Sequence, residues 1–408
     1  MHHTPACETG TPVGSNGSAA VVPVDAPADT AVTRLTTGLT AASPLYFGQN
    51  ITDHFMTAWS KHVGREPVDK VFLIVDEQPY RLNHSAVPPI GDSLECQVVA
   101  VSAGEVGKSW QQLTALCEQL VSNGASRRSV LVAFGGGSVG NLVGMTAGIL
   151  FRGIRFVEIP TSFAHLTDGT LSNKQAINGY TGKNHFGLYH APEFIWADTG
   201  YLISEPMRSR RAGLAESVKN SLVSGKPCCA DLQRRLAGLD GGCADVDVHQ
   251  LAWSSILAKL EILRADPTER YGALVLEYGH TFGHAIEWLA DGGLLHGECV
   301  AVGMKLAARF SHHVGLITSD LVTLHDDLLD RHAGIVPPDL SHLSGEQVVT
   351  AMRRDNRRTG PQLRLVLLDG PGSCYSGGTD PLYSVRDESL LLGIVEAGLR
   401  RQHPAIVA

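Results

Sequence analysis

Five short, continuously apolar runs recur through the first half of this chain, and they limit its possible folds more than any other feature. They are VFLIVDE (71–77), CQVVAV (96–101), SVLVAFGGG (129–137), RFVEIP (155–160) and EFIWAD (193–198). Segments with helical spacing of apolar residues lie between some of them, at 108–123 and 138–150. Apolar strands that alternate with helices indicate a parallel sheet with helices on its faces. We therefore predict an α/β domain in this half.

The second half of the chain is mainly helical. Its candidate helices span 205–224, 247–265, 281–290, 297–314, 319–332 and 345–355, and a late strand is predicted at 363–368. We predict an α/β domain over 36–198 and a helical domain over 199–408, with the active site in the cleft between them. Residues 1–35 are rich in Ala, Pro, Thr, Gly and Ser without periodicity, which predicts a disordered tail.

Composition excludes several classes of protein. The 408 residues suffice for two domains with their own cores, and a net charge of −8 argues against a nucleic-acid binder. No apolar run reaches the roughly 18–20 residues of a membrane span, and the N-terminus lacks the order of a signal peptide. Eight cysteines without a C-x-x-C pair indicate neither a disulfide framework nor a zinc ribbon. We expect a soluble cytoplasmic protein.

A glycine-rich loop, FGGGSVGN (134–141), follows a predicted strand and opens a predicted helix. Glycines let the backbone approach a pyrophosphate, whose charge the N-terminus of a helix favours. The loop does not match the G-x-G-x-x-G fingerprint at a first strand, so a tight structural turn remains an alternative. Asp76 ends an earlier strand, where it could accept a hydrogen bond from a ribose hydroxyl or cap a helix.

Two histidine segments and one acidic segment carry candidate metal ligands. GHTFGHAIE (279–287) places His280 and His284 on one helical face, and His296 follows in LLHGE. AGLAESVKN (212–220) places Glu216 and Lys219 on another face. Two histidines and a carboxylate with an open position are what catalytic zinc requires. The chain lacks the H-E-x-x-H motif of zinc proteases. With 18 histidines in the chain, spacing alone favours ordinary capping or surface histidines.

Several basic residues lie among apolar or small neighbours rather than in charge runs. They are Arg152, Lys174, Lys183, Lys219 and Lys259. Basic groups held near a glycine loop suggest a phosphorylated substrate. For any one of them taken alone, a surface position or a structural ion pair is the better interpretation.

In order and spacing, these runs resemble the sugar phosphate cyclases, the family of 3-dehydroquinate synthase, over residues 70–370. The matching motifs are GGGSVGN, FRGIRFVEIPTS, D-x5-K (168–174), GKN (182–184), LAESVKN, YGHTFGHAIE and LHGE. The resemblance implies a Rossmann-like parallel-sheet NAD domain followed by a mainly helical metal-binding domain. It also implies a homodimer that uses NAD and one divalent metal, zinc or cobalt.

The resemblance assigns roles residue by residue. The metal ligands would be Glu216, His280 and His296. The NAD contacts would be Asp76, Glu105, Lys108, Gly136, Gly137, Asn141, Thr161 and Ser162. The substrate and catalytic residues would be Arg152, Asp168, Lys174, Lys183, Asn184, Lys219, Lys259, Glu277 and His284, with Arg152 reaching the neighbouring subunit's site.

Departures from the family pattern indicate the substrate. Dehydroquinate synthases carry Arg and Asn where this chain has Ala273 and Glu277, and both help to hold a substrate carboxylate. Losing a cation and gaining an anion would repel a carboxylate at close range. The sequence therefore favours a neutral sugar that bears only a phosphate.

Further motifs resemble the branch of the family that converts glucose 6-phosphate to 2-deoxy-scyllo-inosose for aminoglycoside biosynthesis. They are L-E-Y-G-H-T-x-G-H-A-I-E, the G-N end of the glycine loop, K-Q-A-x-N (174–178) and D-N-x-R (355–358). The implied reaction oxidises carbon 4, releases phosphate from carbon 6, reduces carbon 4 again and closes the ring by an aldol step, with NAD restored. The runs DNRRTG (355–360) and HLTDGTLSN (165–173) differ from the usual ones, so a variant substrate remains open.

Alternatives remain at this stage. Within the family they are a sedoheptulose 7-phosphate cyclase of the valiolone type and 3-dehydroquinate synthase itself. A metal-dependent alcohol dehydrogenase is a further alternative, although such an enzyme would not need the array of phosphate-binding residues. A non-catalytic relative is the last, and the intact metal and lysine positions argue against it.

Overall fold

A seven-stranded sheet organises the first half of the chain in the computed structural model. The structure describes residues 32–37, 43–90, 94–102, 104–180, 182–239, 248–264, 266, 269, 272–336, 338–353, 362–377 and 382–401. The strands are β1 Val32–Thr37, β2 Ser43–Gly48, β3 Val71–Asp76, β4 Cys96–Val101, β5 Val130–Gly135, β6 Arg155–Pro160, β7 Lys174–Gly179, β8 Gly182–Tyr189, β9 Ile195–Asp198, β10 Arg364–Leu365, β11 Leu368–Gly370, β12 Ser373–Cys374 and β13 Tyr383–Ser384. The sheet has the order β1-β2-β9-β6-β5-β3-β4, and every pairing is parallel except that of β1 with β2.

The central strands are buried on both faces, which explains their unbroken apolar sequences. In β3 and β5 side chains alternate between two apolar clusters, so that Leu73 and Val132 belong to one and Phe72 and Leu131 to the other. Because both clusters are closed by helices, every position of these strands is buried except Asp76 at the end of β3. The predicted parallel α/β sheet is confirmed.

Helices cover the sheet and build most of the second half. They are α1 Phe55–His62, α2 Glu77–Leu82, α3 Trp110–Ser122, α4 Gly137–Ile149, α5 Phe163–Thr167, α6 Met207–Leu222, α7 Pro227–Ala237, α8 Val248–Leu263, α9 His280–Leu289, α10 His296–His313, α11 Ser319–Asp326, α12 Gly345–Met352 and α13 Glu388–Arg401. Helix α10 packs against α6, α9, α11 and α13 and is buried along most of its length. A helix that is buried on all sides needs no amphipathic stripe, and α6 is buried in the same way from Ala212 onward.

The carboxyl ends of three neighbouring parallel strands lie at one edge of the sheet. Strand β3 ends at Asp76, β5 runs into Gly136 and α4, and β6 is followed by Thr161, Ser162 and α5. Ligands of open α/β sheets bind outside this edge. The fold therefore brings the glycine loop and Asp76 to the place where a dinucleotide-binding site would form.

Two local expectations need correction. The tail predicted over 1–35 extends too far, because the backbone of residues 32–35 already pairs with β2 and satisfies its hydrogen bonds in the sheet. The single late strand predicted at 363–368 is two short strands, β10 and β11, which pair in separate two-stranded sheets. Among the described residues, no helix is long and apolar enough to cross a membrane.

Candidate metal and dinucleotide site

Three potential metal donors converge from three helices of the second half. Glu216 lies in α6, and His280 and His296 are the first residues of α9 and α10. Glu216 Oε1 lies 3.4 Å from Nε2 of His280 and 3.4 Å from Nε2 of His296. Ligands about 2.1 Å from a tetrahedral zinc ion lie about 3.4 Å from one another. The two distances from Glu216 to the histidines therefore match the spacing of ligands around a single ion.

Hydrogen bonds on the far side of each ring orient the two histidines. His280 Nδ1 donates to the carbonyl of Tyr278 at 3.2 Å, and His296 Nδ1 donates to Glu287 Oε2 at 2.8 Å. Both partners are acceptors, so a proton resides on each Nδ1, and each Nε2 points toward Glu216. This arrangement of an acceptor behind the ring is typical of metal-binding histidines.

The Glu216 carboxylate is buried and charged. Burial would raise its pKa, but the Lys219 ammonium and His280 hold the pKa well below its usual range. Lys219 Nζ donates to Glu216 Oε2, whereas Oε1 has no hydrogen-bond partner within the described part of the chain. A buried, unsatisfied carboxylate oxygen between two ring nitrogens is what a metal site without its ion would present.

His284 offers an alternative third donor. One ring nitrogen from each of His280, His284 and His296 can be chosen so that all lie within 4.8 Å of one another. We favour Glu216 as the ligand, because its Oε1 lies 3.4 Å from both ring nitrogens and is buried without a hydrogen-bond partner among the described residues. His284 lies one helical turn beyond His280, with its ring stacked near that of His296 at 5.7 Å between centroids.

A chain of ion pairs runs from His296 toward the predicted dinucleotide site. Glu287 accepts from His296 with one oxygen and from Lys183 with the other. Lys183 Nζ also lies 3.1 Å from Glu105 Oε1. Burial would raise the pKa of Glu287, but His296 and Lys183 lower it to about 2. This series of ion pairs therefore links the predicted metal site to the predicted dinucleotide site through alternating positive and negative side chains.

Asn178 connects three of the predicted NAD and substrate residues. Its Nδ2 donates to Glu105 Oε2 at 2.8 Å, and its Oδ1 accepts from the Asn184 amide at 3.1 Å. Its own amide donates to the Lys108 carbonyl at 2.8 Å. The buried Lys108 in turn donates from Nζ to Asn184 Oδ1 at 2.6 Å. Asn184 is held with a positive φ of 54°, which is uncommon for a residue other than glycine.

A second cluster of charges lies on the other side of Glu216. Asp168 Oδ1 accepts from Lys259 Nζ at 2.7 Å and lies 3.9 Å from Lys219 Nζ. Burial would raise the pKa of Asp168, but Lys259 and Lys219 lower it. Burial would likewise lower the pKa of Lys219, but nearby carboxylates, Glu277 among them, raise it. Asp168 and Lys219 are therefore charged across the physiological pH range.

The glycine loop has the features of a dinucleotide cradle. Gly136 precedes α4 without a side-chain cap, which leaves the first amides of the helix available to a ligand. Thr161 Oγ1 beside it is buried and has no partner among the described residues. Asn141 ties the loop to β7, because its Oδ1 accepts from the Ala176 amide at 2.9 Å while its Nδ2 donates to Gly137 O. Asp76 caps α2 by accepting from the Gln78 amide, and burial raises its pKa.

Some predicted residues lie apart from this cluster or have other partners. Arg152 is exposed, and no hydrogen bond or ion pair joins it to the residues that the structure describes. Lys174 Nζ pairs with Glu269 Oε2 at 2.8 Å. Ala273 and Glu277 lie buried in a 3-10 turn before α9. The D-N-x-R motif at 355–358 falls outside the described residues.

Sequence reasoning did not assign roles to Glu287 and Asn178. Both residues end a motif of the sequence, Glu287 in GHTFGHAIE and Asn178 in K-Q-A-x-N. Neither motif reveals what its last residue contacts, because the partners lie in distant segments. The motifs themselves were the available signal.

Comparisons with known proteins agree with this architecture. Family models described as 3-dehydroquinate synthase N-terminal and C-terminal match residues 98–212 and 213–358. The 2-deoxy-scyllo-inosose synthase of Micromonospora echinospora is 41% identical over 69% of this chain and 72% of its own length. That of Niallia circulans is 32% identical over 85% of this chain and 95% of its own length.

A solved structure shares the fold over nearly the whole chain. It is a crystal structure of 2-deoxy-scyllo-inosose synthase complexed with carbaglucose-6-phosphate, NAD+ and Co2+. It is 30% identical to this chain with a TM-score of 0.79, and the match covers 90% of this chain and 100% of that one. Together with the family models, this similarity confirms the family indicated by the ordered motifs: the chain belongs to the 3-dehydroquinate synthase family of sugar phosphate cyclases.

Proposed function

We propose that this chain is a 2-deoxy-scyllo-inosose synthase, a lyase that cyclises glucose 6-phosphate and releases phosphate. The observation that carries the proposal is the convergence of Glu216, His280 and His296 beside the Lys219 and Asp168 charges. Several relatives that match this chain over two thirds of their length carry that enzyme name. The solved relative that holds a glucose 6-phosphate analogue also holds NAD+ and Co2+.

NAD would supply a reversible hydride acceptor, and a divalent metal such as zinc or cobalt would act as a Lewis acid. Glu216, His280 and His296 would hold the metal. The glycine loop would hold NAD through Gly136 and Gly137, together with the further residues assigned by the resemblance. Those residues are Asp76, Glu105, Lys108, Asn141, Thr161 and Ser162. The unsatisfied Glu216 Oε1 and Thr161 Oγ1 support both assignments.

Lys219, Asp168 and Lys259 would hold sugar hydroxyls in a fixed orientation. The Asp168 carboxylate lies within ion-pair distance of both ammonium groups, and the lowered pKa of Asp168 and the raised pKa of Lys219 keep these two side chains ionised. Such groups donate and accept hydrogen bonds without exchanging protons with the solvent. They would therefore orient the substrate beside the metal rather than act as the general base.

Glu277 would select a neutral sugar. Its carboxylate is buried near Lys219, and Ala273 supplies no positive charge at the start of the same turn. A substrate carboxylate would meet a like charge here, whereas a hydroxyl could donate to Glu277. This feature supports glucose 6-phosphate over the dehydroquinate precursor.

The phosphate would be bound by Lys174, Asn184, His284 and Arg152, with Lys183 nearby. Arg152 would act from the partner subunit of a homodimer. Phe151 and Arg152 both have a positive φ, 52° and 70°, immediately before Gly153. Backbone of this kind costs free energy for residues other than glycine and is concentrated at functional sites. The exposed, strained Arg152 is consistent with a side chain presented to a neighbour.

Mass spectrometry of the product tests the proposal. The purified protein with NAD and cobalt or zinc would be incubated separately with glucose 6-phosphate, sedoheptulose 7-phosphate and the dehydroquinate precursor. We expect phosphate release and a six-carbon cyclic ketone from glucose 6-phosphate. A cyclic product from one of the other two substrates, and none from glucose 6-phosphate, would agree with the family but contradict glucose 6-phosphate as the substrate.

A further inference from the structure

We propose that a buried pair, His165 and Glu158, positions the glycine loop for NAD, so that His165 is a positioning residue for dinucleotide binding. The proposal rests on the proposed function, because it takes NAD to be the ligand of that loop. The pair lies at the base of the loop, and the contacts of the proposed reaction mechanism do not include either residue.

Both side chains lie in the interior beneath the loop. Glu158 is in the middle of β6 and His165 is in α5, and each residue is 3% exposed. His165 Nε2 lies 2.9 Å from Glu158 Oε1, and His165 Nδ1 lies 3.1 Å from the carbonyl of Gly135. Gly135 is the last residue of β5 and the first glycine of the loop. The imidazole therefore bridges a neighbouring strand and the entry to the glycine loop.

Both ring nitrogens of His165 have hydrogen-bond partners within the protein, Gly135 O and Glu158 Oε1. The Gly135 carbonyl can only accept, so Nδ1 carries a proton and donates to it. Nε2 then either donates to an ionised Glu158 or accepts from a protonated one. The pair is net neutral in both arrangements, and neither side chain depends on solvent. Removing one member would leave the other buried without its partner.

The imidazole also fills space left by glycines. A side-chain carbon on Gly140, in the first turn of α4, would collide with the ring and with the Glu158 carboxylate. A side-chain carbon on Gly169 would collide with Cδ2 of the ring, and one on Gly137 would lie 3.8 Å from the same atom. The ring thus lies against the N-terminal turn of α4 and limits how closely that turn approaches the sheet.

A second contact links the pair to the predicted NAD residues. The Gly135 carbonyl also accepts from the Thr161 amide at 3.0 Å, so the same oxygen joins the glycine loop to the turn after β6. A Cβ on Gly136 would lie 3.4 Å from Ser162 Oγ. Loss of the imidazole would loosen the loop relative to Thr161 and Ser162, the residues expected to face the same dinucleotide.

Calorimetric titration of NAD into purified variants tests this role. We expect His165→Ala and Glu158→Ala to weaken NAD binding about tenfold, which is about 1.4 kcal/mol. Glu158→Gln should bind NAD within about twofold of the unsubstituted protein, because an amide N–H can donate to Nε2. Thr167→Val is the matched control, since Thr167 is buried in α5 and its hydroxyl donates to Phe163 O within the same helix. It should leave NAD affinity unchanged.

Metal affinity and melting temperature would be measured on the same samples. A positioning role predicts weaker NAD binding with unchanged metal affinity, and restoration by Glu158→Gln. NAD affinity that is unchanged in His165→Ala, or that falls equally in Thr167→Val, would overturn the proposal. If His165→Ala does not fold, the contrast between Glu158→Gln and Glu158→Ala decides it, and equal NAD affinities in those two overturn it. Absence of NAD binding by the unsubstituted protein would instead reject the proposed function.

Discussion

The two histidines that face Glu216 are oriented by different kinds of partner. His280 donates to a backbone carbonyl in its own turn, whereas His296 donates to the side chain of Glu287. Glu287 precedes His296 by nine residues and is also bound by Lys183. A backbone partner cannot be removed by substitution, but Glu287 can. The contribution of an outer carboxylate to this site is therefore measurable.

Glu287→Gln is expected to weaken metal binding about tenfold or more, because the amide lacks the charge that makes His296 a better ligand. Titration of Co2+ into the metal-free protein, followed by its visible absorption, measures this directly. Asp330→Asn serves as the control, since Asp330 pairs with the buried Lys305 of the same helix α10, away from its first turn. Equal affinity in Glu287→Gln and the unsubstituted protein would contradict the assignment.

Glu277→Gln tests the residue proposed to select the sugar. We expect kcat/KM for glucose 6-phosphate to fall about tenfold or more, since a hydrogen bond to a charged acceptor is replaced by a neutral one. Steady-state phosphate release measures the change. Metal affinity should stay the same, because Glu277 is not among the three donors. An unchanged kcat/KM would show that Glu277 does not contact the substrate.

At the scale of elements, the strands that could be predicted from the sequence are those with continuously apolar runs. Strands β3 to β6 fall within two residues of their predicted bounds. Strands β3, β5 and β6 are buried on both faces, and β4, at the edge of the sheet, is half-exposed but still continuously apolar apart from Gln97. The β7–β8 hairpin was not predicted, since KQAING and GKNHFGLY are polar and half-exposed and lack a clear alternation. This hairpin nevertheless carries Lys174, Lys183 and Asn184. Its strands are stabilised by their contacts with α4 rather than by intrinsic pattern.

A buried hydrogen bond joins α11 to the turn before α9. His325 in α11 donates from Nδ1 to Leu321 O and accepts at Nε2 from the Tyr278 hydroxyl at 2.8 Å. The histidine is fully buried, and burial lowers its pKa to about 4. Protonation would bury a positive charge and turn the hydroxyl proton away from the ring, toward the Met304 carbonyl at 3.4 Å. The neutral ring therefore belongs to the folded state.

This depressed pKa predicts acid sensitivity. The unfolded chain binds a proton at His325 near pH 6.5, whereas the folded chain does so only near pH 4. Stability is thus fully present above pH 6.5 and is lost as the pH falls, by about 2 kcal/mol between pH 6.5 and 5. Urea unfolding across this range measures it. His325→Gln should show a shallower dependence, and an identical slope in both proteins would contradict the expectation.

For the whole molecule, the site combines residues from both halves of the chain. Asp168, Lys183 and Glu105 come from the sheet half, and the metal donors come from helices of the second half. The ordered motifs predicted the set of residues, but not their pairings. Lys183 was assigned to the substrate, yet it bridges two carboxylates, because only the tertiary fold brings Glu105 and Glu287 to it. The division of the chain near residue 199 remains our prediction.

Mixing two inactive variants tests the proposed dimer. If Arg152 acts in the partner's site, a heterodimer of Arg152→Ala and Glu216→Ala contains one complete site, formed around the intact metal donors. Random exchange of subunits would then restore about a quarter of the sites. Phosphate release before and after mixing measures the recovery. No recovery, with exchange of subunits demonstrated by mass, would place the action of Arg152 within its own subunit.

The most direct test of the account compares phosphate release with NADH formation. The protein would be mixed with cobalt or zinc, glucose 6-phosphate and NAD, with about one mole of NAD per hundred moles of sugar phosphate. Inorganic phosphate and the absorbance of NADH at 340 nm would be followed together. We predict phosphate far in excess of the added NAD with no accumulation of NADH, and no phosphate from Glu216→Ala. NADH that accumulates without phosphate release would indicate a dehydrogenase and contradict the cyclase assignment.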